Sequence, residues 1–230
     1  MKFKKKLLQG TLIKRYKRFF VDIKYQNRTI NAHCPNPGSM MGLLDKGNGV
    51  WFSESDNLKR KLRYTLEMVE VDKTLVGINT QLTNKIVLEA LNQKKIKSLV
   101  KFDYIKSEAK FSDKTRFDFL ISNNKEKCFL EVKNVTLVRT NKIAEFPDAI
   151  TSRGTKHLKE LINAKKKGYE SCILYLIQRE DCKSFKIAND IDQEYKTTFN
   201  EALKNGVKML CYDCKLSDEE IKLNNQISYD

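Results

Sequence analysis

The sequence has no long apolar run. Its longest candidate, Cys172 to Ile177, has the length of a buried strand, far short of the roughly 20 residues that a membrane-spanning helix needs. The N-terminus is basic, but the segment from Leu7 to Thr11 is too short and too polar to be the core of a signal peptide. We therefore expect a cytoplasmic protein that makes no use of a membrane.

The sequence also lacks a cysteine pattern typical of a disulfide scaffold or a zinc centre. Cys211 and Cys214 have the C-x-x-C spacing, but no second cysteine pair with that spacing is present. These two cysteines lie on a predicted strand that begins at Val207, and residues three apart on a strand point to opposite faces. The pattern favours reduced thiols over a zinc site.

Arginine is scarce although the chain is strongly basic. Of the 44 basic residues 9 are Arg and 35 are Lys, and the net charge is +15 with a pI near 9.4. Such a charge indicates a polyanionic partner. A lysine excess can also arise from biased base composition without any binding role. The charge still favours nucleic-acid binding over solubility alone.

Two alternating segments near the middle of the chain predict a β-hairpin. The segments 116–121 and 128–133 flank the polar stretch 122–127. With that stretch as the loop, one apolar face receives three cross-strand pairs, namely Ile121 with Cys128, Phe119 with Leu130, and Phe117 with Val132. The other face receives Asp118 opposite Glu131, with Lys133 two residues further along.

This arrangement of Asp118, Glu131 and Lys133 is suited to metal chemistry. Like charges directly across a ladder are destabilising, so the two carboxylates need a compensating cation. Mg²⁺ prefers carboxylate oxygens, waters and phosphate oxygens, and a nearby lysine could position a water or neutralise a phosphate. The alternative is a half-exposed hairpin in which Lys133 simply pairs with one of the acids.

The first part of the chain, residues 1–83, reads as a small β-barrel of the oligonucleotide-binding (OB) type, because short strand candidates alternate with turn residues. Arg15, Lys17 and Arg18 interleave with aromatic residues, a pattern that can hold phosphates and stack bases. The same pattern fits a solvated strand edge. His33 and Asn36 lie in a turn-rich loop that either contacts a ligand or only forms tight turns.

Residues 84–230 predict a mixed α/β sheet, so we expect an α+β protein of two domains. After the hairpin the expected elements are a helix, a strand, a helix and a strand, at 155–167, 171–178, 192–205 and from Val207. Another predicted helix runs from Asn84 through Lys97. On it, Glu89 is either an exposed charge or an additional metal ligand. Arg153 and His157 share a side if the second helix starts early enough.

Several longer strings resemble the sugar fermentation stimulation protein A family, and the spacing of Asp118 and Glu131-Val132-Lys133 resembles the PD-(D/E)XK nuclease core. The strings are His33-Cys34-Pro35-Asn36, Gly38-Ser39-Met40, Gly77-Ile78-Asn79-Thr80, Glu131-Val132-Lys133-Asn134-Val135-Thr136-Leu137 and Phe146-Pro147-Asp148-Ala149. Thr151, Arg153 and the step Lys156-His157-Leu158 also match. The resemblance covers roughly residues 10–216.

The resemblance implies an OB-like barrel joined to a restriction-endonuclease-like domain that binds DNA. It implies Mg²⁺ or Mn²⁺ held by Asp118 and Glu131, with Lys133 as the catalytic lysine and Glu89 as a looser match to a helix-borne acid. Arg153 or His157 would contact phosphate. One hypothesis is a metal-dependent nuclease of weak sequence specificity. The other is a DNA-binding regulator of sugar metabolism genes without catalysis. RNA as the true partner stays open.

Overall fold

The computed structural model describes residues 1–140 and 142–230. Its N-terminal part is a β-barrel made of short strands, which are β1 (Leu8–Tyr16), β2 (Phe20–Tyr25), β3 (Arg28–His33), β4 (Gly49–Glu54), β5 (Tyr64–Val71) and β6 (Thr74–Gly77). Tight turns separate them, and in two of these turns Arg18 and Gln26 have positive φ angles of 64° and 53°. The left-handed conformation gives the turns the twist that neighbouring strands require.

The barrel closes through a parallel pairing of β3 with β5, in which Ala32 lies opposite Tyr64. The closed order is β1, β2, β3, β5, β4 and back to β1, with β6 added beside β5. Alternate residues such as Val21, Ile23 and Phe52 fill the interior and are fully buried. The predicted OB-like barrel is confirmed.

The C-terminal part contains ten strands in two sheets. The strands are β7 (Tyr104–Ser112), β8 (Thr115–Ser122), β9 (Lys127–Val135), β10 (Leu137–Thr140), β11 (Ile143–Phe146), β12 (Glu170–Ile177), β13 (Ser184–Ile187), β14 (Lys208–Leu216), β15 (Ile221–Gln226) and β16 (Ser228–Tyr229) in the part of the chain that the structure describes.

The larger sheet is mixed and has six strands in the order β15-β14-β12-β9-β8-β7. The strands β9, β12 and β14 run parallel to one another, and the remaining pairs are antiparallel. The smaller sheet has the order β10-β11-β13-β16.

Three α-helices cover the two faces of the larger sheet, as the predicted mixed sheet requires. They are α1 (Thr83–Asn92), α2 (Ser152–Lys166) and α3 (Gln193–Lys204). Apolar residues of α1, including Ile86 and Val87, pack in one core. Apolar residues of α2 and α3, including Leu158 and Phe199, pack in the core on the other face. The predicted mixed sheet with flanking helices is confirmed, and its helices and sheet form three layers.

Helix ends differ from the predicted ones for local reasons. Helix α2 begins at Ser152, before the predicted Thr155, because the Thr151 side chain accepts a hydrogen bond from Gly154 N and caps it. Helix α1 ends at Asn92 and not at Lys97, because Lys94 has a left-handed φ of 56°. Six strands of the larger domain were not predicted, since most of them are short or strongly polar. They are β7, β10, β11, β13, β15 and β16.

The cysteines behave as the sequence predicts. All six are free thiols and buried. Cys211 packs in the core beside α2 and α3, whereas Cys214 packs in the core beside α1, so the C-x-x-C pair is divided between two faces. In the part of the chain that the structure describes, no helix has the length and apolar character needed to cross a membrane.

The two domains meet at backbone contacts that leave no space for larger side chains. Gly77 N donates a hydrogen bond to Gln178 O at 2.8 Å, and a Cβ atom at Gly77 would lie 2.4 Å from Gln178 Oε1. A second contact joins the loop after β3 to the segment after β11, where Ser39 Oγ donates to the Asp148 carboxylate at 3.1 Å. These contacts fix the barrel against the larger sheet.

Candidate active site

The hairpin of β8 and β9 carries the predicted acids, and its register is confirmed for two of three predicted pairs. Phe119 lies opposite Leu130 and Ile121 opposite Cys128. The prediction for Phe117 is wrong. Backbone pairing stops at Phe119, and Phe117 packs on the other face of the sheet, with its ring centroid 5.2 Å from that of Phe129. The two strands therefore separate where the acids lie.

Asp118 takes over the pairing where the backbone ladder ends. Its Oδ2 accepts a hydrogen bond from Val132 N at 2.7 Å, and its Oδ1 accepts one from Asn84 Nδ2 at 2.8 Å. Burial, followed by the negative charge of Glu131, raises the pKa of Asp118 from 3.8 to about 6. The two carboxylates therefore lie near enough to repel each other, as the sequence predicts for a site that needs a cation.

Glu131 is almost completely buried, with 3 % of its surface exposed. Its Oε1 accepts a hydrogen bond from Lys133 Nζ at 2.6 Å and is also hydrogen-bonded to His157 Nδ1. Burial raises the pKa of Glu131, but Lys133 and then His157 outweigh it, so the pKa lies below its usual value. Its Oε2 is buried and has no hydrogen-bond partner in residues 1–140 and 142–230.

Helix α2 brings His157 into this cluster. The sequence analysis gave Arg153 or His157 as the residue that contacts phosphate. The structure separates the two, because Arg153 is exposed in the first turn of α2 whereas His157 is buried against Glu131. Lys133 Nζ lies 3.5 Å from His157 Nδ1. The sequence signal that the prediction missed is the apolar neighbour Leu158, which marks this side of the helix as buried.

Glu89 does not reach the acidic pair. Its carboxylate forms an ion pair with the Met1 amino group at 2.7 Å and is substantially exposed. In the described residues no three His, Cys, Asp or Glu side chains are grouped as metal ligands. Helix α1 instead contributes Asn84, which the sequence analysis missed. The two positions are five residues apart and thus about 140° apart around a helix of 3.6 residues per turn.

Two residues that were predicted to contact nucleic acid, Arg15 and Asn36, form hydrogen bonds within the fold. Arg15 donates hydrogen bonds to the carbonyl oxygens of Asn36 and Gly38 at 2.7 and 3.0 Å. Asn36 is buried, and its side chain donates to Ile78 O at 3.0 Å and accepts from Gly38 N at 2.8 Å. Both residues hold the loop after β3 against the barrel, so the structure does not place Asn36 at the surface.

Lys17, Arg18 and His33 lie closer to solvent. Lys17 and Arg18 are exposed at the turn between β1 and β2. His33 is half-buried beside Phe19, with ring centroids 6.4 Å apart. Burial, and then the charge of Arg60, lowers the pKa of His33. The turn therefore keeps a cationic surface, while His33 favours the neutral form.

Comparison with known proteins agrees with this architecture. Residues 13–78 match the model of the SfsA N-terminal OB domain, and residues 81–220 match that of the sugar fermentation stimulation protein RE domain. The chain belongs to the SfsA family. The sugar fermentation stimulation protein homolog of Pelagibacter ubique is 54% identical to it, over 99% of this chain and 98% of the relative. The SfsA-family homolog of Caulobacter vibrioides is 42% identical over 96% and 93%.

A solved structure of Pyrococcus furiosus SfsA in complex with Ca²⁺ has the same fold. The two structures superpose with a TM-score of 0.90 at 24% sequence identity. The match covers 100% of this chain and 98% of the Pyrococcus furiosus chain. At this identity the likeness establishes the architecture of an SfsA protein, an OB barrel followed by a mixed sheet with flanking helices.

Proposed function

We propose that the protein is a metal-dependent phosphodiesterase that cleaves nucleic acid, DNA in the first place, with weak sequence specificity. The observation that carries this proposal is Glu131 Oε2, a buried carboxylate oxygen without a hydrogen-bond partner in the described residues, beside the raised pKa of Asp118. A buried charged oxygen without a partner is costly. A divalent cation held by Glu131 and Asp118 would remove that cost.

The donor set fits a hard divalent cation. Asp118 and Glu131 would hold Mg²⁺ or Mn²⁺, which bind through one or two carboxylates and complete their shell with water and phosphate oxygens. When bound, the ion supplies a water of lowered pKa and stabilises charge on the phosphate. The structure of Pyrococcus furiosus SfsA with Ca²⁺, another cation that prefers oxygen ligands, supports a divalent site in this family.

The surrounding residues orient the acids. Lys133 and His157 both bind Glu131 Oε1, which fixes the carboxylate and leaves Oε2 without a partner. Asn84 and Val132 N hold the two oxygens of Asp118. Lys133 also carries a positive charge beside the acids, where it can neutralise a phosphate oxygen.

A second candidate function is DNA binding without cleavage. The net charge of +15 and the exposed turn of Lys17 and Arg18 favour it, because phosphate contacts alone supply affinity. The same fold can host either function. The carboxylates of Asp118 and Glu131 would weaken such binding, since they repel phosphate when no metal is present, so the cleaving function is the better supported of the two.

The deciding experiment incubates the protein with linear, branched and single-stranded DNA, and with matched RNA, in Mg²⁺ or Mn²⁺. Glu131→Ala is compared with Glu194→Ala, which removes a carboxylate that is 68% exposed on α3. Cleavage that needs metal, is lost in Glu131→Ala and persists in Glu194→Ala supports the phosphodiesterase. The regulator is supported if Glu131→Ala binds DNA as tightly as the unaltered protein or more tightly, and if neither the unaltered protein nor this variant cleaves it.

A further inference from the structure

A cavity of about 160 Å³ lies between the two domains, and the proposed cleavage reaction does not use it. Both domains contribute to its wall. All five of the strings that carry the family resemblance also meet here. The lining residues are Asn36, Pro37, Gly38 and Thr80 from the barrel side, and 134–137, Glu145, Phe146 and Asp148 from the larger domain.

The wall of this cavity contains polar groups without partners. Glu145 is 1 % exposed, and its Oε1 has no hydrogen-bond partner in the described residues. Arg139 binds the other oxygen, Oε2, and Lys186 Nζ is 3.8 Å from Oε1, too far for a hydrogen bond. Within residues 1–140 and 142–230, the Thr136 hydroxyl and the Asn134 amide nitrogen also donate no hydrogen bond. The cavity thus presents both donors and an acceptor.

The size and chemistry of the cavity select a small planar polar ligand. A cavity of about 150 Å³ is sufficient for one benzene ring, so about 160 Å³ accommodates a single six-membered ring. A carboxylate that lacks a donor pairs well with an exocyclic amino group, as acidic side chains do with cytosine N4. The Thr136 hydroxyl and the Asn134 amide can donate to the ring nitrogen and carbonyl oxygen beside that amino group.

The cavity is adjacent to the acidic pair along the same strand. Glu131 and Asn134 both belong to β9, three residues apart, so they are separated by about 10 Å at the rise of an extended strand. Asn134 lines the cavity. This separation is within the span of one nucleotide, so a strand with its phosphate at Asp118 and Glu131 can place an unstacked base between the domains.

We propose that the interdomain cavity binds an unpaired nucleobase bearing an exocyclic amino group, with cytosine as the base of matching size. The choice of ligand rests on the proposed function, because the proposed substrate is what supplies an unpaired base beside the acidic pair. Glu145 accepts from the amino group, and Thr136 and Asn134 bind the ring edge. Enzymes that act on nucleic acids commonly read an extruded base in such a pocket.

The test measures binding of free nucleotides to the full chain in EDTA, by calorimetry or by NMR shifts. The probes are dCMP, dTMP and deoxyribose 5-phosphate. We expect dCMP to bind about tenfold more tightly than deoxyribose 5-phosphate, in line with the binding free energy of one base contact. It should also bind more tightly than dTMP. Thr136→Val should reduce this advantage by about fivefold, and Thr136→Met, which fills the cavity, should remove it.

The matched control is Thr197→Val, which removes a hydroxyl from an exposed position on α3 and should change nothing. Equal affinity for dCMP and deoxyribose 5-phosphate overturns the inference. So does a dCMP preference that persists in Thr136→Met. The experiment needs no cleavage, so a base preference found together with inactive protein leaves the cavity site standing while the phosphodiesterase proposal fails.

Discussion

Asp118 accepts a hydrogen bond from the backbone N–H of Val132 at 2.7 Å, at the point where the pairing of β8 with β9 has ended. A side chain therefore replaces a backbone partner, and the Asp118 carboxylate is held beside the opposite strand. The same separation of the strands gives Glu131 room to meet Lys133 and His157. The acidic cluster is a consequence of where the ladder stops.

Removing the charge of Glu131 should abolish the response to metal. At a metal concentration about one hundredfold above Kd, a one-site ligand stabilises by about 2.7 kcal/mol, which corresponds to a rise in Tm of roughly 5–10 °C for a chain of this size. We expect this rise for the unaltered protein with Mn²⁺ and none for Glu131→Gln. Differential scanning calorimetry measures it. A rise retained in the variant would show that Glu131 is not a ligand.

Asp118 should make the metal-free protein less stable as the pH rises. Its pKa is raised from 3.8 to about 6, so the native state binds the proton more tightly than the unfolded chain does. Stability is lost between about pH 4 and pH 6, by up to about 3 kcal/mol. The unfolding free energy of Asp118→Asn minus that of the unaltered protein should grow over this range in EDTA. A difference independent of pH would contradict the assignment, and Mg²⁺ should diminish it at pH 7.

Replacing Lys133 should cost both stability and cleavage. Lys133→Met removes the cation that pairs with the buried Glu131 carboxylate, and the breaking of a buried ion pair costs about 3 kcal/mol or more. Urea unfolding measures this cost. Lys159→Met is the control, because Lys159 pairs with Glu194 at the surface, where a pair contributes less than about 1 kcal/mol. Equal costs for the two variants would argue against the buried pair.

The domain junction should depend on the absence of a side chain at Gly77. In Gly77→Ala the new Cβ would meet Gln178 Oε1 at 2.4 Å, so we expect a loss of about 1–3 kcal/mol. Adding Gln178→Ala removes the clash, and the double variant should be less destabilised than the sum of the two single variants. Strict additivity in urea unfolding would refute this close contact.

The exposed turn between β1 and β2 should contribute to DNA affinity through charge alone. Lys17→Gln and Arg18→Gln should each reduce the slope of log affinity against log salt by up to about one unit. Asn36→Ala should leave the slope unchanged and lower stability by about 1–3 kcal/mol, because its buried partners lose their hydrogen bonds. Fluorescence anisotropy across a salt series measures the slope. An unchanged slope in both Lys17→Gln and Arg18→Gln would show that this turn makes no phosphate contact.

The central features of the site were predictable because they depend on short-range periodicity. Alternation along β8 and β9 gave the hairpin, most of its register and the positions of Asp118 and Glu131. The terminal strand likewise assigned Cys211 and Cys214 to different faces. These inferences need only the two-residue period of a strand, which holds wherever the strand is regular.

Other assignments failed where position along the chain says little about position in space. Phe117 changed face because the strands separate, and Glu89 turned to the Met1 amino group while Asn84 reached Asp118. Asn36 was assigned to a surface but is buried.

The sequence by itself determined the barrel, the helices and central strands of the larger domain and the acidic hairpin, through local patterns of apolar and polar residues. Only the tertiary structure decided which partners surround each charge, including the hydrogen bond of His157 to Glu131. It also decided that a cavity lies between the domains, with a carboxylate oxygen in its wall that has no hydrogen-bond partner in the described residues. The physical reason is that charge pairing and cavities depend on contacts between residues far apart in the chain, and the local periodicity of strands and helices does not encode those contacts.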